Sequence, residues 1–199
     1  PADSALAEAS PGPLDPAVFS GSWAIGDGSY AGYRVNEVLN GTPVTVTGRT
    51  EEVAGTLELD GLTLTKADIV VDVASIATDQ PQRDSYFRDQ LIDVSKHPEA
   101  TFSLSSPVTA TEAPNSGEVV EQTVTGDLTL AGVTKPVTFT VQVRAVAQQQ
   151  GTAAGEVALS GQIPITFADF GLTAPNLGFV SVEQAGFIEF SLVLEGPAS

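Results

Sequence analysis

The amino-acid sequence has no cysteine, no methionine and a single histidine, His97, among its 199 residues. Without cysteine, the chain has no disulfide framework, no zinc–thiolate site and no thiol nucleophile. One histidine also excludes a metal site built from several histidines of the same chain. The sequence further lacks a Gly-x-Ser-x-Gly nucleophile motif, a Walker loop and a Gly-x-Gly-x-x-Gly motif. We therefore expect no bound metal, no enzyme cofactor and no catalytic activity.

Positive charge is also scarce, because eight lysines and arginines stand against 25 acidic residues, for a net charge of −17. Nucleic-acid binding draws on clustered basic side chains, so we expect no nucleic-acid partner. The same shortage excludes docking on an anionic membrane by charge alone. No apolar run approaches the ~20 residues that span a bilayer. Because the sequence starts at Pro1 without methionine, we expect a signal or membrane-tethering segment upstream of it.

Apolar residues, by contrast, are plentiful at 42% of the chain, and they divide it into two regions. Residues 1–19 contain four prolines and no sustained periodicity, which predicts a flexible Pro/Ala-rich linker. An alanine-rich helix is the alternative there, but the prolines exclude it beyond Ala9. Residues 20–196 carry the regular apolar pattern and are predicted to form one domain.

The pattern of residues 20–196 is a period-two alternation of Val, Thr, Leu and Phe, punctuated by Gly, Pro, Asp and Asn. Residues 137–143 show it clearly, with Val or Phe at every second position. Such runs predict roughly eight short strands and an all-β fold, either a sandwich or a barrel. Asp60-Gly61 predicts a hairpin turn, and Gly161 predicts a bulge or bend within a strand.

The segment from Gln82 to Ile92 breaks this alternation. Its aromatic and apolar residues fall at helical spacing, which predicts a short helix after Pro81. One interpretation is an amphipathic helix packed on the sheet, with Arg83 and Asp84 in a salt bridge or cap. The other is a lid over the mouth of a cavity, with aromatic side chains facing a ligand. The two interpretations are compatible.

A series of short motifs runs in a fixed order along residues 21–195. The most specific is the block at 126–137, Gly-Asp-Leu-Thr-Leu-Ala-Gly-Val-Thr-Lys-Pro-Val. The others are Gly-Ser-Trp-Ala-Ile at 21–25, Ser29 with Tyr-Arg-Val at 33–35, Ser-Ile-Ala-Thr-Asp at 75–79 followed by Arg83-Asp84, Asp-Val-Ser-Lys-His-Pro at 93–98 leading into Thr-Phe-Ser at 101–103, and Asp-Phe-Gly at 169–171. Together these motifs resemble the YceI-like family.

The resemblance implies an antiparallel eight-stranded, lipocalin-like barrel whose interior takes up a polyisoprenoid or related long-chain lipid. Members of the family are commonly periplasmic or secreted, so the resemblance implies an extracellular or cell-envelope location. No catalytic residues are established for the family as a whole. The forms at 33–37 and 167–171 are similar to an actinobacterial-looking branch. Phe167 stands where the family often has a basic residue, and histidines often seen near the first strand are absent. These departures predict a different headgroup, or recognition of the tail alone.

Inward positions of a barrel alternate with outward ones, so an apolar lumen needs one apolar face per strand. We expect the ligand cavity to be lined by Trp23, Tyr33, Val35, Leu57, Leu59, Phe87, Leu91, Phe102, Leu128, Leu130, Phe139, Phe167, Phe170 and Phe190. The polar residues expected at its mouth are Arg83, Asp84 and Arg88.

Two other functions stay open at this point. Alternation does not distinguish a hollow barrel from a filled one, and a filled barrel on a stalk would serve as a structural or interaction module of the cell envelope. A hydrolase that uses two carboxylates is the second alternative, with Asp84 and Asp169 as its candidates. Exposed strand edges near the termini also permit a homodimer.

Overall fold

The computed structural model describes residues 12–147 and 154–197, so most of the linker predicted at residues 1–19 lies outside the described residues. The strands are β1 (Gly21–Ile25), β2 (Tyr30–Leu39), β3 (Thr42–Thr50), β4 (Val53–Asp60), β5 (Thr63–Asp72), β6 (Glu99–Leu104), β7 (Val108–Thr109), β8 (Val119–Leu130), β9 (Val133–Ala147), β10 (Ala154–Thr166) and β11 (Val180–Glu195). The helical segments are α1 (Pro81–Tyr86), a π-helical turn (Phe87–Ile92) and 3-10 turns at Pro16–Phe19, Val73–Ser75 and Phe167–Phe170.

The strands close into an antiparallel barrel with eight positions, which confirms the all-β barrel prediction. The order around the barrel is β1, β4, β5, β6, β8, β9, β10 and β11, and the ring closes because β11 pairs with β1. One edge of β11 pairs with β10, while its other edge pairs first with β2 and then with β1. β11, the last strand of the domain, therefore pairs with its first two strands, β1 and β2.

The strand position shared by β1 and β2 is interrupted at residues 26–29, and Ser29 bridges the interruption. Its buried hydroxyl donates a hydrogen bond to the main-chain oxygen of Gly26 at 2.7 Å. The hydroxyl oxygen of Ser29 in turn accepts a hydrogen bond from the N–H of Val193, on β11, at 2.9 Å. A second interruption separates β3 from β4. Because the chain is interrupted between β1 and β2 and again between β3 and β4, β3 pairs with β2 at one end of the barrel and β4 pairs with β1 at the other.

The two ends of the barrel are closed differently, and we name them the tryptophan end and the helix end. At the tryptophan end, β1, β4 and β11 pair continuously around the buried side chain of Trp23. At the helix end, within the described residues, the outer edge of β3 is met by an isolated bridge from Arg49 to Ala77 rather than by a strand. The segment that carries α1 lies at this gap.

The predicted short helix is confirmed, with a different internal geometry. It begins at Pro81, a residue suited to the first helical position, and after Tyr86 continues as a π-helical turn to Ile92. The turn ends at Asp93, which has a left-handed backbone with φ of 56°. Among the described residues, no helix combines the length and the apolar composition needed to cross a membrane.

Three local predictions have different outcomes. The hairpin turn is confirmed, because Asp60 pairs with Thr63 around Gly61, whose φ is 57°. Of the two alternatives predicted at Gly161, the bulge is not found, since its pairing with β11 is in regular register; the pairing of β10 with β9 ends at this residue. A Cβ there would lie 2.8 Å from the ring of Phe190, so glycine makes room for that ring. Residues 13–19, assigned to the linker from the sequence, pack on the barrel because Phe19 is buried beside Trp23.

Candidate functional site

The interior of the barrel contains a cavity of about 320 Å³. It extends from Trp23 at the tryptophan end to Phe87 and Leu91 beneath the helix end. The lining is apolar almost throughout, and Glu37 and Arg83 are the only charged residues of the described chain that border it. Such a space accepts an apolar molecule, because a polar group placed along the wall would lose its hydrogen bonds to water without replacement.

All the predicted lining residues border the cavity except one. Those that do are Trp23, Tyr33, Val35, Leu57, Leu59, Phe87, Leu91, Phe102, Leu128, Leu130, Phe139, Phe167 and Phe190. Phe170 does not border it, although its side chain is buried at 3% exposure. Phe170 lies in a 3-10 turn beyond the end of β10, so the period-two rule that places strand residues does not apply to it.

Aromatic rings shape the middle of the cavity. Phe139 contacts Phe102 and Phe190 in edge-to-face geometry, with ring centroids 5.5 and 5.8 Å apart. These three side chains come from β9, β6 and β11, which are separated around the barrel. Edge-to-face pairs hold rings in defined positions. The wall in this region is therefore pre-formed by side chains that support one another.

Part of the lining comes from segments outside the barrel strands, and the sequence analysis missed it. Phe19 closes the tryptophan end, while Ile76, Tyr86 and Leu172 border the cavity at the helix end. Apolar residues in turns carry no periodic signal that would indicate a buried position. The helical spacing around Tyr86 was the one local indication.

A buried ion pair stands at the helix end of the cavity. The Nη2 atom of Arg83 on α1 donates to Oε1 of Glu37 on β2 at 2.9 Å, and Glu37 is only 5% exposed. The Nη1 atom donates to Oδ1 of Asp79 at 2.8 Å. Burial opposes the charge of Arg83, but hydrogen bonds and charges from these two carboxylates outweigh it and raise the pKa of Arg83. Glu37 follows Tyr33 and Val35 at period two, which is the signal that identifies its side chain as inward.

Tyr33 lies beside this pair and borders the cavity. Its ring stacks on that of Phe87, with centroids 5.0 Å apart and an interplanar angle of 20°. The ring also lies against Gly48, where a Cβ would be 2.7 Å from Cε1 of Tyr33. Burial is the main cause that raises the pKa of Tyr33 to about 12; the charge of Asp84 adds to it and that of Arg83 opposes it. The phenol therefore stays protonated at neutral pH.

The other two residues predicted at the mouth do not border the cavity. Asp84 is buried and accepts hydrogen bonds from the N–H and the hydroxyl of Thr78, at 2.9 and 2.7 Å, so it fixes the loop before α1. Arg88 is half-buried in the π-helical turn. Asp169, the other carboxylate considered for hydrolysis, is exposed and also lies outside the cavity wall. Among the described residues, no cluster of three potential metal-ligating side chains occurs.

The chain is similar in sequence to a known family of proteins. The profile of the YceI-like domain family matches residues 25–194. A UPF0312 protein of Vibrio campbellii is 31% identical over 161 residues, which cover 76% of this chain and 74% of that protein. A UPF0312 protein of Shewanella oneidensis is 30% identical over 155 residues, with the same coverage. These relatives come from Gram-negative bacteria and do not support the predicted actinobacterial branch.

Two solved structures share the fold. A polyisoprenoid binding domain from Saccharophagus degradans matches with a TM-score of 0.67 and 19% identity, over 88% of this chain and 98% of that one. Burkholderia cenocepacia BcnA matches with a TM-score of 0.58 and 22% identity, over 81% and 95%. At these identities the likeness concerns the fold alone. The profile match and the sequence relatives carry the assignment further: the chain belongs to the YceI-like family.

Proposed function

We propose that this protein binds an apolar long-chain lipid of isoprenoid type inside the barrel, and carries or stores it without chemical reaction. The observation that carries the proposal is the cavity of about 320 Å³, apolar from the tryptophan end to the helix end. A barrel filled by its own side chains would leave no such space. The cavity therefore favours lipid binding over an interaction module with a filled barrel.

The energetics of tail binding are adequate without a strong polar contact. Each methylene transferred from water contributes roughly 0.8 kcal/mol, so four isoprene units contribute roughly 12 kcal/mol or more. Association and ordering of the chain oppose this by about 4–15 kcal/mol. Micromolar affinity is thus attainable from the apolar wall. The volume lies near the lower end of the roughly 300–1,000 Å³ typical of small-molecule sites, which favours a short tail or one that protrudes beyond the cavity.

The comparisons support the same ligand class. The Saccharophagus degradans domain, described as polyisoprenoid binding, shares the fold. A non-catalytic role agrees with the position of Asp84 and Asp169 outside the cavity wall. An extracellular or cell-envelope location, a membrane tether upstream of Pro1 and a homodimer remain predictions.

Native mass spectrometry of freshly purified protein, followed by organic extraction and lipid identification, tests the proposal. We expect a stoichiometric apolar adduct that extraction releases, and its mass identifies the ligand class. When the purified protein carries no adduct, farnesol and longer prenols are added and binding is measured again. Failure to bind any of these lipids would contradict the proposed function.

Two variants on one strand make the test specific to the cavity. Val141 on β9 lines the cavity, whereas the next residue, Gln142, is exposed on the outside. Val141→Phe fills part of the ligand space, so we expect it to reduce bound lipid. Gln142→Phe adds the same side chain outside and should leave lipid binding unchanged. Equal lipid content in both variants would place the ligand elsewhere.

A further inference from the structure

The charges at the cavity mouth identify the kind of headgroup that the site accepts. Arg83 is the only basic residue in the described part of the chain that borders the cavity, and its guanidinium already contacts the carboxylates of Glu37 and Asp79, at 2.9 and 2.8 Å. A third carboxylate is near, because the Thr78 hydroxyl lies 3.4 Å from Nη1 of Arg83 and 2.7 Å from Oδ1 of Asp84. The mouth thus has one positive charge and three negative charges.

This arrangement disfavours an anionic headgroup. Arginine binds phosphate and carboxylate groups through its guanidinium N–H donors, and at this mouth two of the guanidinium nitrogens already contact carboxylates. At this mouth an added anion would compete with Glu37 for Arg83 and would face like charges in a partly desolvated site, which costs affinity. The net charge of −17 adds repulsion from the rest of the chain.

The mouth also has an uncharged hydrogen-bond donor that no other described residue uses. Among residues 12–147 and 154–197, the hydroxyl of Tyr33 has no hydrogen-bond partner, although the residue borders the cavity beside Arg83. The ring contacts both Phe87 and Gly48, so the position of the hydroxyl is restricted. A protonated phenol donates one hydrogen bond to an acceptor such as a carbonyl, ether or hydroxyl oxygen.

We propose that the ligand is an apolar chain ending in a neutral group with a hydrogen-bond-accepting oxygen, bound by Tyr33, and that the Glu37–Arg83–Asp79 cluster excludes chains ending in phosphate. This inference rests on the proposed function and adds the class of headgroup to it. Burial of the apolar tail then provides the affinity, and Tyr33 with the charged cluster determines which headgroup is accepted.

Three probes with the same carbon skeleton test the headgroup: farnesol, farnesyl monophosphate and the hydrocarbon farnesane. Binding of each to the full chain is measured by native mass spectrometry and by competition. We expect farnesol to bind at least about tenfold more tightly than the monophosphate, because like charges repel at the mouth. Monophosphate binding equal to or tighter than that of farnesol would overturn the headgroup inference and leave lipid binding intact. Failure of all three probes would overturn both.

Two variants separate the roles of the mouth residues. Tyr33→Phe should weaken farnesol by about fivefold, the value of one hydrogen bond, and leave farnesane unchanged. Glu37→Gln keeps a hydrogen-bond acceptor for Arg83 but removes one negative charge, so we expect tighter monophosphate binding and unchanged farnesane binding. Unchanged farnesol binding in the first variant, or unchanged monophosphate binding in the second, would contradict the role of that residue.

A different observation, on the outer surface, carries a second inference. Three of the four large apolar residues that are most exposed in the described chain, Val38, Leu177 and Phe179, belong to neighbouring segments at the helix end. Val38 pairs with Ser181, and the carbonyl oxygen of Phe179 accepts from the N–H of Asn40 at 2.8 Å. Phe179 is 60% exposed. We call these three residues the apolar tip.

The surroundings of the apolar tip favour a lipid surface as its partner. Residues 38–48 and 170–182 contain no charged residue, in a chain of net charge −17. Leu177 borders a shallow depression beside Leu172 and Pro175, and these two residues also line the cavity. An uncharged apolar surface that is continuous with the rim of a lipid cavity suits partition into a bilayer interface. We infer that the apolar tip docks on the surface of a lipid bilayer.

Flotation of the full chain with phosphatidylcholine vesicles tests this docking. Phe179→Ser should reduce vesicle binding by about tenfold, since a buried Phe contributes that much or more. Val119→Ser is the matched control, because Val119 is 54% exposed but lies at the opposite end. Farnesol binding should be unchanged in both variants, because neither residue borders the cavity. Absence of vesicle binding, an equal loss in both variants, or a dimer that Phe179→Ser dissociates would contradict docking on a bilayer.

Discussion

The tryptophan end and the helix end are built from the same alternating strands, but different forces close them. At the tryptophan end, Trp23 is 2% exposed and its indole N–H donates to the main-chain oxygen of Phe19 at 2.8 Å. Leu57 and Leu192 complete an apolar cluster there. Strand pairing closes the barrel here, because β1 pairs with β4 along one edge and with β11 at Ala24 and Ile25.

The helix end is closed by a short segment and by polar contacts. The α-helical part of the segment, Pro81–Tyr86, is six residues long, too short to be stable alone. It is held by the ion pairs of Arg83 and by the stacking of Phe87 on Tyr33. The two ends therefore differ in what holds them: an apolar cluster holds the tryptophan end, whereas ion pairs and one ring stack hold the helix end, where we expect local opening to be easier.

The largest effect is expected from breaking the tryptophan end. Trp23→Ala removes a buried aromatic side chain and leaves a void, so we expect a loss of about 3–5 kcal/mol in the free energy of unfolding. Urea denaturation measures it. Ser22→Ala, at the exposed neighbouring position of β1, is the control and should change stability by less than about 0.5 kcal/mol. A small effect of Trp23→Ala would mean that this end does not support the barrel.

Removing the charge of Arg83 breaks the helix end instead. Arg83→Ala leaves Glu37 buried without its partner, so we expect a loss of about 2–3 kcal/mol, below that of Trp23→Ala. Hydrogen exchange should accelerate in residues 81–92 and stay slow in β1. Arg88→Ala is the control, since Arg88 forms no ion pair with another described residue. Uniform acceleration throughout the barrel would contradict the separation of the two ends.

A smaller effect is expected at the contact between β3 and Tyr33. In Gly48→Ala the new Cβ would lie 2.7 Å from Cε1 of Tyr33, whose ring is also stacked on Phe87. We expect a loss of about 1–2 kcal/mol and weaker farnesol binding. Thr47→Ala is the control, because Thr47 is exposed on the outward face of the same strand. Gly41→Ala is unsuitable, because Gly41 has φ of 81° and alanine would strain the backbone there. Wild-type binding in Gly48→Ala would show that the ring is free to move.

Tyr33→Phe is expected to change stability least at neutral pH. At alkaline pH its stability should differ measurably from that of the wild type. The pKa of Tyr33 rises from 10.0 to about 12 on folding, so the native state holds its proton more tightly than the unfolded state. Stability from this group is complete below pH 10 and is lost as the pH rises towards 12. Wild type should therefore lose more stability than Tyr33→Phe across this window. Parallel curves for the two proteins would place the phenol in water.

The sequence predicted the lining well where the residues lie in regular strands. Leu128 and Leu130, or Phe139 and Val141, share one face because strand side chains alternate with period two, and that face proved to be the inner one. Alternation did not place Phe170 and Phe19 correctly, since both lie in 3-10 turns. Phe170 was predicted to line the cavity and does not, whereas Phe19 lines it and was not predicted. Period two has no meaning in a turn, so burial there depends on what the turn packs against.

The polar residues of the mouth were harder to predict. Arg83 was identified, but its partner Glu37 lies 46 residues earlier in the chain, and the sequence alone suggested Asp84 as the partner. Asp84 instead binds the loop at Thr78. Charged residues are common on protein surfaces, so which of them meet is decided by the approach of distant elements.

The sequence by itself determined the all-β class, the short helix and the inward face of most strands, because these follow from local periodicity and turn residues. Only the tertiary structure decided that the barrel is hollow, since the space left inside depends on how strands tilt and how their side chains meet across it. It also decided that Tyr33 contacts both Phe87 and Gly48, and that Arg83 meets Glu37 and Asp79 at one end. These contacts join elements far apart in the chain, and local periodicity carries no information about them.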